Sequence, residues 1–262
     1  MSTTLSSSNI EKKTIGKVFD HEVFKREGYF IVKGLFDLNE IEEIKSFHAL
    51  FKEQVENRDK GSNVVQLSHG HIQCEVLNDG SVDIRKIHND VLEYPRLLEL
   101  YTPPKLRSIV REIIGERSFF HHSKYMCKPA GGGVRKPWHQ DLAYWTEKNN
   151  PDARLVTVWT ALDRATKDNG CIQVIPQSHK GKLLPHYHGE DFMVDESQLE
   201  MERVVFAEMN PGDSLFFDVK TLHASAKNDS KIPRKSIIVD FSNIPASESD
   251  KHPAFSENFS IY

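Results

Sequence analysis

Leu155–Ile175 reads LVTVWTALDRATKDNGCIQVI. An alternating, largely apolar run, LVTVWTAL, gives way to the turn sequence KDNG at Lys167–Gly170 and then to a second short run, CIQVI. Runs of about 4–8 β-branched and aromatic residues, bounded by Asp, Asn and Gly, are the pattern of strands joined without an intervening helix. The same texture extends both ways: Phe119–Cys127, Val204–Met209, Ser214–Phe217 and Ser236–Phe241 read as further strands. Turns are marked by AGGG at Ala130–Gly133 and NPGD at Asn210–Asp213. Many short strands in succession predict a mainly β fold, an antiparallel sandwich or barrel.

Before Ser118 the pattern is helical. A short helix over Asp20–Glu27 is ended by Gly28, and a strand follows at Tyr29–Val32. Asp37 is placed to cap a second helix carrying Ile41, Ile44, Phe47, Leu50 and Phe51 at helical spacing. A further helical stretch covers Leu97–Ile114, broken by Pro103 and Pro104 and stopped at Gly115. These helices are expected to pack on the β core. Residues 1–17 are Ser- and Thr-rich and read as a flexible tail, leaving 18–262 as one domain.

Composition narrows the function. A net charge of −4 offers no basic field for a nucleic acid backbone. No window approaches the roughly 18 apolar residues of a membrane span, and the polar start MSTTLSSSNIEKK lacks the apolar stretch of a secretory signal. The 3 cysteines, Cys74, Cys127 and Cys171, form no even disulfide framework. A cytoplasmic protein with reduced thiols is the expectation; the sequence leaves the oligomeric state open.

Among the 13 histidines, His88-Asn89-Asp90 and His139-Gln140-Asp141 have His-x-Asp spacing, and His188-Gly189-Glu190 is a variant of it. Two imidazoles and one carboxylate on one face of a metal are the ligand set of non-haem iron(II) oxygenases, which leaves positions open for cosubstrate and oxygen. Residues i and i+2 of a strand point the same way, so His-x-Asp sets two such ligands side by side. A dicarboxylate cosubstrate also needs its far carboxylate held, best by the planar fork of an Arg. In jelly-roll oxygenases that Arg opens the strand after the distal His, and only His223 has one at a matching distance, Arg234. His139-Asp141 follows a Gly-rich loop and opens the strand-like WHQDLAYW, whereas His88-Asp90 precedes helix-like sequence and reads as a surface or helix-capping pair. The expected metal site is His139, Asp141 and His223.

With these residues in place the chain resembles the phytanoyl-CoA dioxygenase family of iron(II)/2-oxoglutarate-dependent oxygenases. The resemblance runs from about Ser118 to Phe241. It rests on KPWHQDLAYW (Lys136–Trp145), VTVWTALDRATKDNGCIQVIPQSHKG (Val156–Gly181) and PGDSLFFDVKTLHASAKNDS (Pro211–Ser230), followed by PRKSIIVDF. Gln177 stands where the family usually has Gly, a departure that changes a turn. The resemblance implies a double-stranded β-helix, a cupin-like jelly-roll core with N-terminal helices packed on it. It implies iron(II), 2-oxoglutarate and O2 as cofactor and cosubstrates, with His139, Asp141 and His223 as ligands. Arg234 and Ser225 would hold the far carboxylate, with Trp159 beside it. Lys124 corresponds to a cosubstrate-facing position that is commonly apolar, and so would contact either 2-oxoglutarate or an anionic substrate. An acid at 141, where Ala or Gly would open a halide position, points to hydroxylation and away from halogenation.

The implied reaction oxidises an unactivated C–H of a small-molecule substrate while 2-oxoglutarate becomes succinate and CO2. Substrate contacts are expected from His122 or its neighbour His121, from Gln140, Tyr144 and Trp145, and from 69–77. His179, His186 and His188 should lie near the site's mouth. A metal-binding or sensing module without activity, and an oxygenase acting on a protein side chain, are the competing readings.

Overall fold

The computed structural model describes residues 19–58, 62–68, 70–77, 80–145 and 149–245. The expected tail, His69, and residues 18 and 246–262 of the expected domain lie outside the described residues. Helix α1 (His21–Glu27) is started by Asp20, whose carboxylate accepts from the Val23 N–H, and is stopped by Gly28. Strand β1 (Tyr29–Val32) leads to α2 (Leu38–Glu56). There Asp37 and Glu40 form a reciprocal capping box. Helix α2 buries Ile41, Ile44, His48, Phe51 and Val55, so the inward stripe runs through His48, and Leu50 is left 46 % exposed.

Strands β2 (Val64–Gln66), β3 (His71–Val76) and β4 (Val82–His88) follow, unannounced by the sequence pattern. Then come α3 (Asp90–Glu93), α4 (Arg96–Tyr101) and α5 (Pro104–Ile114). The helix expected over 97–114 is thus split at Pro103, and Pro104 begins the second piece, where a missing N–H costs nothing.

The remaining strands are β5 (Phe119–Lys128), β6 (Lys136–His139), β7 (Leu155–Ala161) and β8 (Ile172–Val174). They continue with β9 (Tyr187–His188), β10 (Phe192–Met193), β11 (Val205–Ala207), β12 (Ser214–Asp218), β13 (His223–Ser225) and β14 (Arg234–Ser242). One antiparallel sheet has the order β1-β12-β7-β14-β5-β4-β3-β2; a second, four-stranded sheet has the order β11-β8-β13-β6; β9 and β10 form a hairpin.

Alternation decides what each face of the large sheet meets. Val156 and Val158 of β7, and Ile237, Val239 and Phe241 of β14, join the cluster made with Ile41, Ile44 and Phe51 of α2 and Leu106, Ile109 and Val110 of α5. On the opposite face, Trp159, Leu215 and Phe217 pack against Ile172, Val174 and Ala207 of the small sheet. Both faces of β7 are therefore covered, and all seven of its residues are buried. The result is the expected jelly-roll core with helices on its outer face.

Two glycines hold turns that the sequence marked. A Cβ on Gly170 would fall 2.4 Å from Ala226 O, and one on Gly212 would fall 2.2 Å from Phe36 O; both residues have positive φ, 76° and 88°. Any side chain would collide with backbone there.

Candidate active site and metal centre

Between the sheets lies a cavity of about 650 Å3, lined by residues of β3 to β7 and β12 to β14. His139 and His223 face each other across the β6–β13 pairing, with ring centroids 4.1 Å apart. Asp141 completes a cluster in which one ligand atom from each residue lies within 4.8 Å of the others. Asp141 Oδ1 stands 3.5 Å from His139 Nε2 and 3.6 Å from His223 Nε2. The strand β6 ends at His139, however, and Asp141 opens a turn of 3-10 helix, Asp141–Tyr144. Gln140 between them is extended, φ −118° and ψ 126°, so the expected side-by-side placement is kept past the end of the strand.

Both imidazoles are oriented by backbone. His139 Nδ1 lies 2.8 Å from Pro137 O and His223 Nδ1 3.0 Å from Thr221 O. A carbonyl can only accept, so Nδ1 carries the proton in each ring and Nε2 presents its lone pair. Burial, reinforced by His139, pushes His223 down to about 4, so it is neutral near pH 7. Burial pushes the Asp141 carboxyl up, but the His223 and His139 imidazoles reverse this and hold it well below the usual carboxylate range. Two Nε2 atoms and one carboxylate thus converge on one point, and a divalent metal takes such donors in their deprotonated forms.

Arg234, the first residue of β14, is 2 % exposed, and its guanidinium lies over the Trp159 ring at 5.2 Å. Burial lowers it to about 10, so it remains charged at neutral pH. Its only hydrogen bond among the described residues is to Ser236 Oγ at 3.4 Å, and its Nε has none. A buried, charged fork facing the cavity without a counter-ion fits the far carboxylate of a dicarboxylate. Trp159 and Ser225 line the same cavity.

The other expected contacts divide. His122, Lys124, Tyr144 and Trp145 line the cavity. His121 does not line the cavity; it meets the Trp145 ring edge-on at 4.3 Å. Gln140 does not line the cavity: its buried amide donates to Lys220 O at 2.8 Å and accepts from Leu184 N at 2.8 Å. Lying between two residues that face the metal position, it points the other way and fastens neighbouring loops. His88 is no surface or capping residue: it lines the cavity and stacks on His71, centroids 4.2 Å apart. Asp90 is fully buried beneath it, bonded to His48, Tyr101 and Ser123. His186 Nε2 accepts from Gln140 N at 3.0 Å, beside the β9–β10 hairpin. That hairpin is clamped over His139 by Lys136 on Asp191 at 2.6 Å and by the Tyr144 hydroxyl on Phe192 O at 3.2 Å.

Thr157 and Lys86 in the cavity wall, and Asp240 behind it, are among the residues that escaped the sequence reading. Thr157 lies 2.9 Å from Asp141 Oδ2 and 2.8 Å from Asp240 Oδ1. Asp240 in turn lies 3.5 Å from Lys124 Nζ and 3.8 Å from His122 Nδ1. Lys86 lies in the cavity wall on β4. Counting in twos from Arg234 reaches Asp240, and from Trp159 reaches Thr157, so alternation carried the signal for both.

A family model for phytanoyl-CoA dioxygenase (PhyH) matches residues 24–236. The chain belongs to the phytanoyl-CoA dioxygenase family. Membership makes it an iron(II)/2-oxoglutarate-dependent dioxygenase of the hydroxylase type. A probable phytanoyl-CoA dioxygenase of Caenorhabditis elegans is 28% identical over 240 residues, 84% of this chain and 73% of that protein. An ectoine dioxygenase of Bordetella bronchiseptica is 24% identical, again over 84% of this chain and 73% of its own length. Among solved structures, EvdO2 from Micromonospora carbonacea var. aurantiaca complexed with 2-oxoglutarate superposes with a TM-score of 0.68 at 22% identity, covering 100% of this chain and 99% of that one. At that identity the likeness speaks for the fold.

Proposed function

We propose that this family member hydroxylates an unactivated C–H of a small molecule, with iron(II) held by His139, Asp141 and His223 and 2-oxoglutarate anchored by Arg234. The observation that carries the reading is the pairing of two Nε2 lone pairs and one carboxylate with an uncompensated buried guanidinium in one cavity. A module that only bound metal would leave Arg234 buried with nothing to neutralise. A cavity of about 650 Å3 lies in the range that encloses small ligands, and its many lysines and arginines are the opposite of the acidic groove that a protein side chain would favour.

When bound, iron(II) with 2-oxoglutarate and O2 supplies the oxidant that removes hydrogen from carbon and returns a hydroxyl, with succinate and CO2 as co-products. The chain's own contribution is placement. Trp159 fixes the plane of the Arg234 fork, and Ser225 adds a hydroxyl at the same end. Thr157 holds Asp141 Oδ2, which leaves Oδ1 toward the two imidazoles. The β9–β10 hairpin, tied down by Lys136 and Tyr144, lies over the site beside His139. Three buried free thiols suit a reducing compartment such as the cytoplasm.

Anaerobic titration with iron(II) and 2-oxoglutarate tests this. The folded protein should develop the weak visible charge-transfer band of the chelate, and Asp141→Ala and His223→Ala should lose both the band and succinate formation. A full band in either variant would overturn the ligand assignment, and no band in the wild type would overturn the reaction.

A further inference from the structure

His88-Asn89-Asp90, the second His-x-Asp sequence, joins no metal cluster among the described residues. Asn89 takes φ 54° and ψ 39°, a left-handed conformation that Asn tolerates. The alternation of the strand is broken there, so His88 enters the cavity wall and Asp90 enters the core beneath it. Asp90 is 0 % exposed, and its carboxylate accepts from three donors on three elements. These are the Ser123 hydroxyl of β5 at 2.8 Å, the Tyr101 hydroxyl of α4, and His48 Nε2 of α2 at 3.1 Å. A carboxylate only accepts, so His48 carries its proton on Nε2. A buried acid is tolerated when its oxygens are satisfied in this way.

The network holds a short join in the large sheet. Strand β4 pairs with β5 through Lys86–Met126, Ile87–Tyr125 and His88–Lys124, three residue pairs, against nine between β14 and β5. Strands β3 and β2 follow β4 outward, so this short ladder carries the outer edge of the sheet. The next link beyond His88 is the Asn89 N–H on Ser123 O at 2.9 Å. Asp90 then takes the Ser123 hydroxyl, and the end of the ladder is gripped by backbone and side chain together. On the face turned to the cavity stand Lys86 and His88 of β4 with His122, Lys124 and Met126 of β5. The wall therefore presents two ammonium groups to the space that a dianionic cosubstrate enters. Displacing the ladder moves both charges at once.

We propose that Asp90 is a positioning residue for 2-oxoglutarate: through Ser123 it fixes the β4–β5 wall at the spacing that the cosubstrate requires, without touching the cosubstrate. This rests on the hydroxylase reading above and extends the site to residues outside the cavity. Of the three donors, Ser123 alone belongs to a strand of the wall. His48 and Tyr101 complete the carboxylate's partners and tie it to the helical layer.

The test is anaerobic titration of 2-oxoglutarate into iron(II)-saturated protein, followed by the charge-transfer band, beside a thermal melt of each variant. In Ser123→Ala and Asp90→Asn the affinity for 2-oxoglutarate should fall by about tenfold, within the range by which remote misplacement acts on a bound ligand. The band at saturation should keep its wild-type position, since the metal residues are untouched. Tyr101→Phe leaves the Ser123–Asp90 tie in place and should lower the melting temperature while keeping wild-type affinity. Ser123→Ala removes one oxygen and decides the matter if Asp90→Asn does not fold. Wild-type affinity in Ser123→Ala would overturn the inference, and so would an equal loss in Tyr101→Phe, because affinity would then follow stability. Absence of the band in the wild type would instead remove the hydroxylase reading, and this inference with it.

Discussion

The hydroxyl of Thr157 stands 2.9 Å from the Asp141 carboxylate and holds the oxygen that the two imidazoles do not face. Thr157 reaches Asp141 because β7 runs between β12 and β14, with its odd-numbered side chains turned into the cavity. The same hydroxyl lies 2.8 Å from Asp240. Its single proton serves one carboxylate at a time, and Lys124 balances the other. Thr157→Val keeps the shape of the side chain and removes the hydroxyl. Iron(II) affinity is expected to fall by roughly 10–100-fold, the usual scale for a group that orients a metal ligand, and Thr157→Ser should restore it. Anaerobic metal titration followed by the charge-transfer band measures both, and equal affinity in Thr157→Val would show that Asp141 needs no support.

Arg234 gives the second expectation, because a buried cation without a counter-ion has opposite effects on binding and on folding. In Arg234→Met the affinity for 2-oxoglutarate should drop by about 100-fold or more, as when one partner of a buried pair is removed. Without 2-oxoglutarate the variant should melt no lower than wild type, since an apolar side chain against Trp159 replaces an uncompensated charge. Thermal melts with and without 2-oxoglutarate decide it: the ligand-induced rise seen in wild type should vanish in the variant. A variant that melts much lower without ligand would mean that Arg234 is held by the protein itself.

The strands around Leu155–Ile175 and Ser214–Phe241 were legible because most of their side chains are buried, and short apolar runs such as LVTVW, LFF and IIV result. The pairing of His139 with Asp141, and the distance from His223 to Arg234, were legible because chemistry constrains those spacings. Strands β2 to β4 were not. Their cavity face carries Gln73, Lys86 and His88, and a bulge opposite Gln73/Cys74 inserts Arg85 between Ile84 and Lys86. The buried residues Ile84 and Ile87 therefore stand three apart, and the period of two is lost. Gln140 was misread for the converse reason: strict alternation between His139 and Asp141 turns it away from the metal, and its amide is spent on Leu184 and Lys220. Chain pattern thus found the residues that converge at one end of the cavity, while the wall built by β3 and β4 needed three-dimensional pairing.

Gln177 stands at a left-handed turn. The residue takes φ 66° and ψ 0°, the left-handed conformation that Gly adopts without strain. Its N–H donates to Glu27 O at 2.7 Å, which ties α1 to the turn after β8. A residue with a Cβ is strained in that conformation, where the Cβ crowds the following carbonyl oxygen. Gln177→Gly relieves a cost of about 1–2 kcal/mol and returns part of it through the freer unfolded chain. A net gain of roughly 0.5–1 kcal/mol is expected, read as a higher urea midpoint at unchanged slope. A lower midpoint would mean that the Gln177 amide, 3.4 Å from Glu27 Oε2, outweighs the strain.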